Sequence, residues 1–249
     1  MSKEFKDLFS EKSNDYKNFR PTYPAQLFDY LAGLVHEHAL AIDIGTGNGQ
    51  AAMELTKHFN KVLATDPSAQ QIAEASSHNK IKFEVGTAEQ INAADNSADL
   101  ITVAQAFHWF KHDLFFKEVQ RVLKPEGILA IWVYGLCSIT AEIDKPVLRL
   151  YEETLGAYWE PERRLLEENF KNIKFPFDEI SSQSFLMEKN WSLDYFLGYL
   201  STWSALKHYQ KSTSHNPLTK LREELKKYWP EKEVLKIQWQ IHPRLFRQR

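Results

Sequence analysis

Ala41-Ile-Asp-Ile-Gly-Thr-Gly-Asn-Gly-Gln50 is the stretch whose reading decides the fold. Leu40 to Ile44 is short and almost wholly apolar, as a buried strand requires. Glycines then alternate with polar residues at 45, 47 and 49, and helical spacing begins at Gln50. A strand that passes into a helix through such a turn opens an α/β sheet, and glycine there admits backbone conformations and close approaches that other residues resist. Outward from this stretch the same rhythm runs from residue 24 to 134. Pro24 opens a helix with Leu27, Phe28, Leu31 and Leu34 on one stripe. Strands are expected at Lys61–Thr65, Ile81–Val85, Leu100–Ala104 and Ile128–Tyr134. Helices are expected over Gln50–Phe59, from a Ser68 cap to about Ser77, and from an Asp113 cap that turns Phe115, Val119, Val122 and Leu123 inward before Pro125. Strands alternating with helices predict a parallel sheet covered on both faces.

After residue 140 the pattern is less regular. A helix over Glu142–Trp159, a strand over Ile180–Met187, one or two helices over Trp191–Tyr209, a helix over Leu218–Trp229 and a strand over Val234–Ile241, reaching towards Phe246, are expected. Seven of the nine glycines precede residue 136 and five of the seven tryptophans follow residue 150, so tight turns give way to aromatic packing. No repeat or low-complexity linker separates the halves. A single domain over 1–249 is expected, with a cap segment at 1–38, a ligand-binding core at 39–135 and an elaboration at 136–249.

Composition narrows the function. Against 31 Lys+Arg stand 33 Asp+Glu, a net charge of −2, and the isoelectric point is about 6.5, so no basic footprint for nucleic acid or an anionic membrane exists. Cys137 is the one cysteine, which excludes an intramolecular disulfide and a cysteine-cluster metal site. The first 20 residues mix acids with bases and suit neither a secretory nor a transit signal. The longest apolar run, Ile128 to Cys137, is half the ~20 residues of a spanning helix. A cytoplasmic location is expected. Oligomeric state is not indicated.

The glycine loop lies where open α/β sheets bind ligands, beyond the carboxyl ends of the strands. A dinucleotide loop reads G-x-G-x-x-G and offers a helix N-terminus to a pyrophosphate. Here the spacing is G-x-G-x-G, with Asp43 two residues before Gly45. A carboxylate there repels phosphate and welcomes a cation, and S-adenosylmethionine carries an ammonium and a sulfonium and no phosphate. Asp66 ends the second strand, where a carboxylate can accept from two ribose hydroxyls. Gly86-Thr-Ala-Glu89 and Gln105 follow the third and fourth strands.

Asp43-Ile-Gly-Thr-Gly-Asn-Gly49, Asp66-Pro67, Gly86-Thr-Ala-Glu89 and Arg121-Val-Leu-Lys-Pro-Glu-Gly127 together resemble the motifs of class I S-adenosylmethionine-dependent methyltransferases, over about residues 20–135. The resemblance implies a Rossmann-like seven-stranded sheet of order 3-2-1-4-5-7-6, its seventh strand antiparallel. It implies Asp43 and Gly45, with Thr46 and Gly47, at the methionine end, Asp66 and Pro67 at the ribose, Thr87, Ala88 and Glu89 near the adenine, and Gln105 closing the pocket. Tyr16-Lys-Asn-Phe-Arg-Pro-Thr-Tyr-Pro24, Phe107-His-Trp-Phe110 and Gly198-Tyr-Leu-Ser-Thr-Trp-Ser-Ala205 are similar to a narrower, type 11 group of small-molecule methyltransferases that includes the trans-aconitate enzymes. In that group the N-terminal segment covers the cofactor and the segment after strand four faces the acceptor, which implies acceptor contacts from Tyr16, Arg20, Tyr23, His108 and Trp109.

Each of these residues also has a plainer reading. Asp66 could be a turn residue before Pro67, Glu89 a solvated helix start, and His108 a helix-flanking residue. Arg20 and Tyr23 could only anchor the N-terminal segment, and Phe107 and Phe110 could be core. His108 and His112, four apart, or His36 and His38 could pair on a metal, but no third ligand lies near either pair in sequence, so none is expected. Methyl transfer needs alignment and water exclusion above all. A carboxylate acceptor needs no base, and Arg20 and His108 would position it; for a hydroxyl or amine, His108 is the first candidate base. A small-molecule acceptor is preferred, carboxylic acids first. A nucleic-acid or protein methyltransferase is the alternative, although Gln105-Ala-Phe-His108 does not resemble the N/D-P-P-Y type of base methylators. A non-catalytic S-adenosylmethionine-binding module and, more distantly, a dehydrogenase are the other readings.

Overall fold

In the computed structural model, which describes residues 19–230 and 232–249, the decisive strand, β1 (Leu40–Ile44), lies inside a seven-stranded sheet. β2 (Lys61–Asp66) and β4 (Ala98–Ala104) flank it in parallel, with Asp43 in register with Ala64 and Thr102. β3 (Ile81–Val85) adds to the outer side of β2, and β5 (Leu123–Trp132) to the outer side of β4. With β6 (Asp178–Ile180) and β9 (Arg244–Arg247) the order is β3-β2-β1-β4-β5-β9-β6, and β9 runs antiparallel to both β5 and β6. This is the expected Rossmann-like order, with β9 as the expected seventh strand.

Burial on both faces explains the near-continuous apolar runs of the central strands. Successive residues enter opposite cores, as the period of a strand dictates: Ala41 and Ala130 on one side, Ile42 and Leu129 on the other. α1 (Ala25–Ala32) and α2 (Gln50–Leu55) cover the first face, and α4 (His112–Val122) covers the second through Phe115, Phe116, Val119 and Val122. The short α3 (Ala69–Ala73) follows β2, and the Ser68 hydroxyl accepts the Gln71 amide at its start, the expected cap. Asp113 is not the cap of α4: Lys111 holds that position and Asp113 sits in the first turn, where its charge favours the helix dipole.

The C-terminal half departs more from expectation. The long helix over Glu142–Trp159 is a helix α5 (Ala141–Arg149), a wider turn over Leu150–Thr154 and a tighter one over Gly156–Tyr158, followed by α6 (Arg163–Glu167). The strand expected at Ile180–Met187 is two strands, β6 and β7 (Phe185–Trp191). The strand expected to run on to Phe246 also splits, into β8 (Leu235–Ile241) and β9, at His242-Pro243, where proline lacks the amide to continue a ladder. β7 and β8 form their own antiparallel ribbon. Helices α7 (Leu193–Ser201), α8 (Ser204–Thr213) and α9 (Pro217–Leu225) complete this half.

Candidate active site

The glycine loop is fastened to the end of β2. Thr65 carbonyl accepts the Gly45 and Thr46 amides at 2.8 and 3.0 Å, and Asp66 accepts the Gly47 amide on one oxygen and the Ser68 amide on the other, both at 2.9 Å. Gly45 is at φ +68°, and a Cβ there would lie 2.4 Å from that of Ala106, so glycine is needed both for the turn and for the space.

Asp43 is the chemically unusual residue of the loop. It is 1 % exposed and accepts the Thr46 hydroxyl at 2.5 Å and the Thr102 hydroxyl at 2.8 Å. Burial outweighs these two hydrogen bonds and pushes its carboxyl up to about 6. Asp43, Gly45, Thr46, Tyr23, Gln105 and Tyr134 are among the residues around an inner cleft of about 440 Å³ of empty space, its mouth included. Gln105, at φ +60°, donates its backbone amide to Trp132 carbonyl at 2.9 Å, while its buried Nε2 has no partner among the described residues. A buried carboxylate, bare main chain at Gly45 and an unengaged amide donor suit a ligand with an ammonium and a carboxylate. The residues fit the methionine end of S-adenosylmethionine.

Asp66, Pro67, Thr87, Ala88 and Glu89 are not among the residues lining the cleft; Asp66 ends β2 and the others sit just past the adjacent ends of β2 and β3, where the Gly86 amide donates to Asp66 carbonyl at 3.1 Å. Ala88 turns its methyl into the core, Thr87 is exposed, and one Glu89 oxygen accepts the Lys111 amide at the start of α4. No helix begins at Glu89.

A second, outer chamber of about 710 Å³, its mouth again included, opens beside the cleft, and Arg20, Gln105 and Tyr134 line both. His108, on the single turn Phe107–Trp109, lines the chamber, is 8 % exposed, and its Nδ1 has no hydrogen-bond partner among the described residues. Burial, with the Arg163 cation adding to it, lowers its pKa to about 3, so the imidazole is neutral at ordinary pH. Trp109, Trp159, Trp203 and Tyr199 supply aromatic wall. Arg163 lies over the Trp159 ring at 4.0 Å and donates from Nε to the Tyr151 hydroxyl at 2.6 Å. Arg20 donates to the Tyr134 hydroxyl at 3.3 Å and lies over the Tyr199 ring at 5.7 Å.

The expected acceptor residues thus divide. Arg20, His108 and Trp109 line the chamber, Tyr23 lines the inner cleft with its ring edge-on to Trp132, and Tyr16 lies outside the described residues. Phe107 is fully buried core, and His112 stacks on it at 4.4 Å with Nε2 at 3.1 Å from its carbonyl. Glu160, Arg163 and Ser204 went unforeseen as site residues; Ser204 belongs to the Gly198–Ala205 motif, whereas Glu160 and Arg163 carry no local signal.

The sequence profile of the methyltransferase-domain family matches residues 42–131. A Dictyostelium discoideum protein bearing a methyltransferase name is 39% identical over 228 residues, which are 90% of this chain and 87% of its own length. The chain belongs to the class I S-adenosylmethionine-dependent methyltransferases. A solved structure described as a type II methyltransferase from Anaeromyxobacter dehalogenans superposes on the methyltransferase with a TM-score of 0.87 at 36% identity, over 92% of this chain and 98% of that one. A Saccharomyces cerevisiae protein named for S-adenosylmethionine-dependent methyl transfer is 29% identical over 133 residues, 49% of this chain and 45% of its own length. The profile match spans the cleft-forming loops and ends before Tyr134, so much of the methyltransferase's outer chamber lies beyond it. Among the described residues no helix is long and apolar enough to cross a membrane.

Proposed function

We propose that this methyltransferase acts on a small carboxylic acid held in the outer chamber, with S-adenosylmethionine in the inner cleft. The observation that carries this reading is the pair of cavities joined through Arg20, Gln105 and Tyr134, the outer one holding two guanidinium groups against aromatic walls. S-adenosylmethionine, when bound, supplies a methyl group activated on a sulfonium. Asp43 would meet the ammonium, Gly45, Thr46 and Gly47 would admit the ligand to main chain, and Asp66 with Pro67 would hold the ribose. Thr87, Ala88 and Glu89 would border the adenine.

On the acceptor side, Arg20 and Arg163 would hold the carboxylate and the tryptophans would exclude water. A carboxylate is already ionised, so no proton need be removed. His108 is neutral and a poor proton acceptor at its lowered pKa, and we assign it a hydrogen-bonding, orienting part. The resemblance of Tyr16–Pro24 and Gly198–Ala205 to the trans-aconitate group supports the same acceptor class. The test is a screen of acceptors, carboxylic acids first, that reads S-adenosylhomocysteine release. Release with a subset of acids is expected; methylation confined to RNA or protein, or a salt-sensitive RNA complex, overturns the reading.

A further inference from the structure

We propose that Glu160 reads a second group on the acceptor, so that the acid preferred by the chamber also carries a hydrogen-bond donor, a hydroxyl or ammonium. This rests on the proposed function and adds to it. Glu160 lines the chamber with its side chain 9 % exposed. Its Oε2 accepts the Ser204 hydroxyl at 2.9 Å, but its Oε1 is buried with no hydrogen-bond partner among the described residues. The neighbouring imidazole does not fill that role: His208 Nδ1 stands 3.7 Å from Oε1, beyond hydrogen-bond length, and is 3.1 Å from Tyr158 carbonyl, a contact that needs the nitrogen to donate there. Arg163, three residues on, commits its Nε to Tyr151 and its face to Trp159.

An unsatisfied buried carboxylate oxygen is costly unless something brought into the cavity satisfies it. A plain carboxylic acid cannot, because its ionised head is repelled by Glu160 and drawn to the arginines. A donor elsewhere on the same molecule can. The chamber therefore separates charge, with guanidinium groups of Arg20 and Arg163 for the acid and Glu160 for the donor, and His108 Nδ1 is a further polar atom on the wall without a partner among the described residues. Leaving such a polar group unpaired is also how a site discriminates strongly against an analogue that lacks the matching group.

Matched carboxylic acids test this, for example 3-phenylpropanoate, 3-phenyllactate and phenylalanine beside aliphatic counterparts. Two readouts apply: quenching of the chamber tryptophans for binding and S-adenosylhomocysteine release for turnover. The expected result is at least tenfold tighter binding, or lower KM, for the donor-bearing member of a pair. Glu160→Gln, which keeps an oxygen for Ser204, should erase most of that preference and leave S-adenosylmethionine affinity unchanged. A merely structural Glu160 would move both members of a pair equally. Plain acids that bind as well as donor-bearing ones, or a preference that survives Glu160→Gln, overturn this inference and leave the proposed function standing. A panel in which neither kind binds or reacts removes both.

Discussion

Replacing Asp43 by Asn keeps the size of the side chain and removes its charge, and the structure gives both consequences. In the folded protein the carboxyl titrates at about 6, against 3.8 when unperturbed. The folded state therefore holds the proton more tightly, and that contribution is present in full below the unfolded value and lost as pH rises through about 6. At 1.36 kcal/mol per pH unit, the ionised side chain costs the ligand-free fold about 3 kcal/mol at neutral pH. Asn carries no such cost, although its amide must meet the Thr46 or Thr102 hydroxyl, a mismatch of about 1 kcal/mol. Urea unfolding at pH 4, 6 and 8 should show Asp43→Asn gaining on wild type as pH rises, by about 2 kcal/mol at pH 8. Binding should move the other way. A charge-assisted contact is worth about 1.5–3 kcal/mol, so calorimetry at pH 7.5 should find S-adenosylmethionine affinity reduced roughly ten- to a hundredfold. Wild-type affinity should itself rise with pH through about 6. An Asn variant that binds the cofactor undiminished refutes the assignment of Asp43 as the counter-charge, and one that gains no stability towards alkaline pH refutes its raised pKa.

Other substitutions probe the remaining parts. In Gly198→Ala the new Cβ would fall 2.4 Å from the Phe19 ring, and overpacking costs about 1–3 kcal/mol; because Phe19 precedes Arg20, kcat/KM should fall more than the melting temperature suggests. His108→Asn and His108→Gln should keep near-normal kcat on a carboxylic acid, and the wild-type pH–rate profile should lack an imidazole inflection near 6.5; a large kcat loss in both variants would restore His108 as a base. Arg163→Lys keeps the charge but loses the planar stack on Trp159, so acceptor KM should rise about tenfold with S-adenosylmethionine Kd unchanged.

The front of the chain is legible because its information is local. The Leu40–Ile44 and Ile81–Val85 strands have the observed bounds, and Ser68 caps its helix as its position suggests. Asp43, Gly45 and Gln105 meet because each follows or ends a strand of a sheet whose order those patterns imply. Later boundaries depend on distant partners. Ile180–Met187 looks like one strand until β9 claims one part of it and β8 the other. Glu160 and Arg163 reach the chamber through contacts distant in sequence, Glu160 with Ser204 and Trp159 with Trp203. Arg121 shows the limit of motif reading: it belongs to a quoted family motif, yet it pairs with Glu118 and Asp95 on the far side of α4's packing, a structural part.

The placement of β9 has a bearing on biosynthesis. Ile128–Ile131 of β5 and Asp178–Ile180 of β6 have no edge to share until Arg244–Arg247 slots between them. During translation the cofactor-side strands can assemble early, while β6 must wait for residues more than sixty positions downstream. A ribosome-stalled chain ending before Arg244 should therefore expose an open β5 flank, a natural handle for chaperones and a point of vulnerability to misassembly.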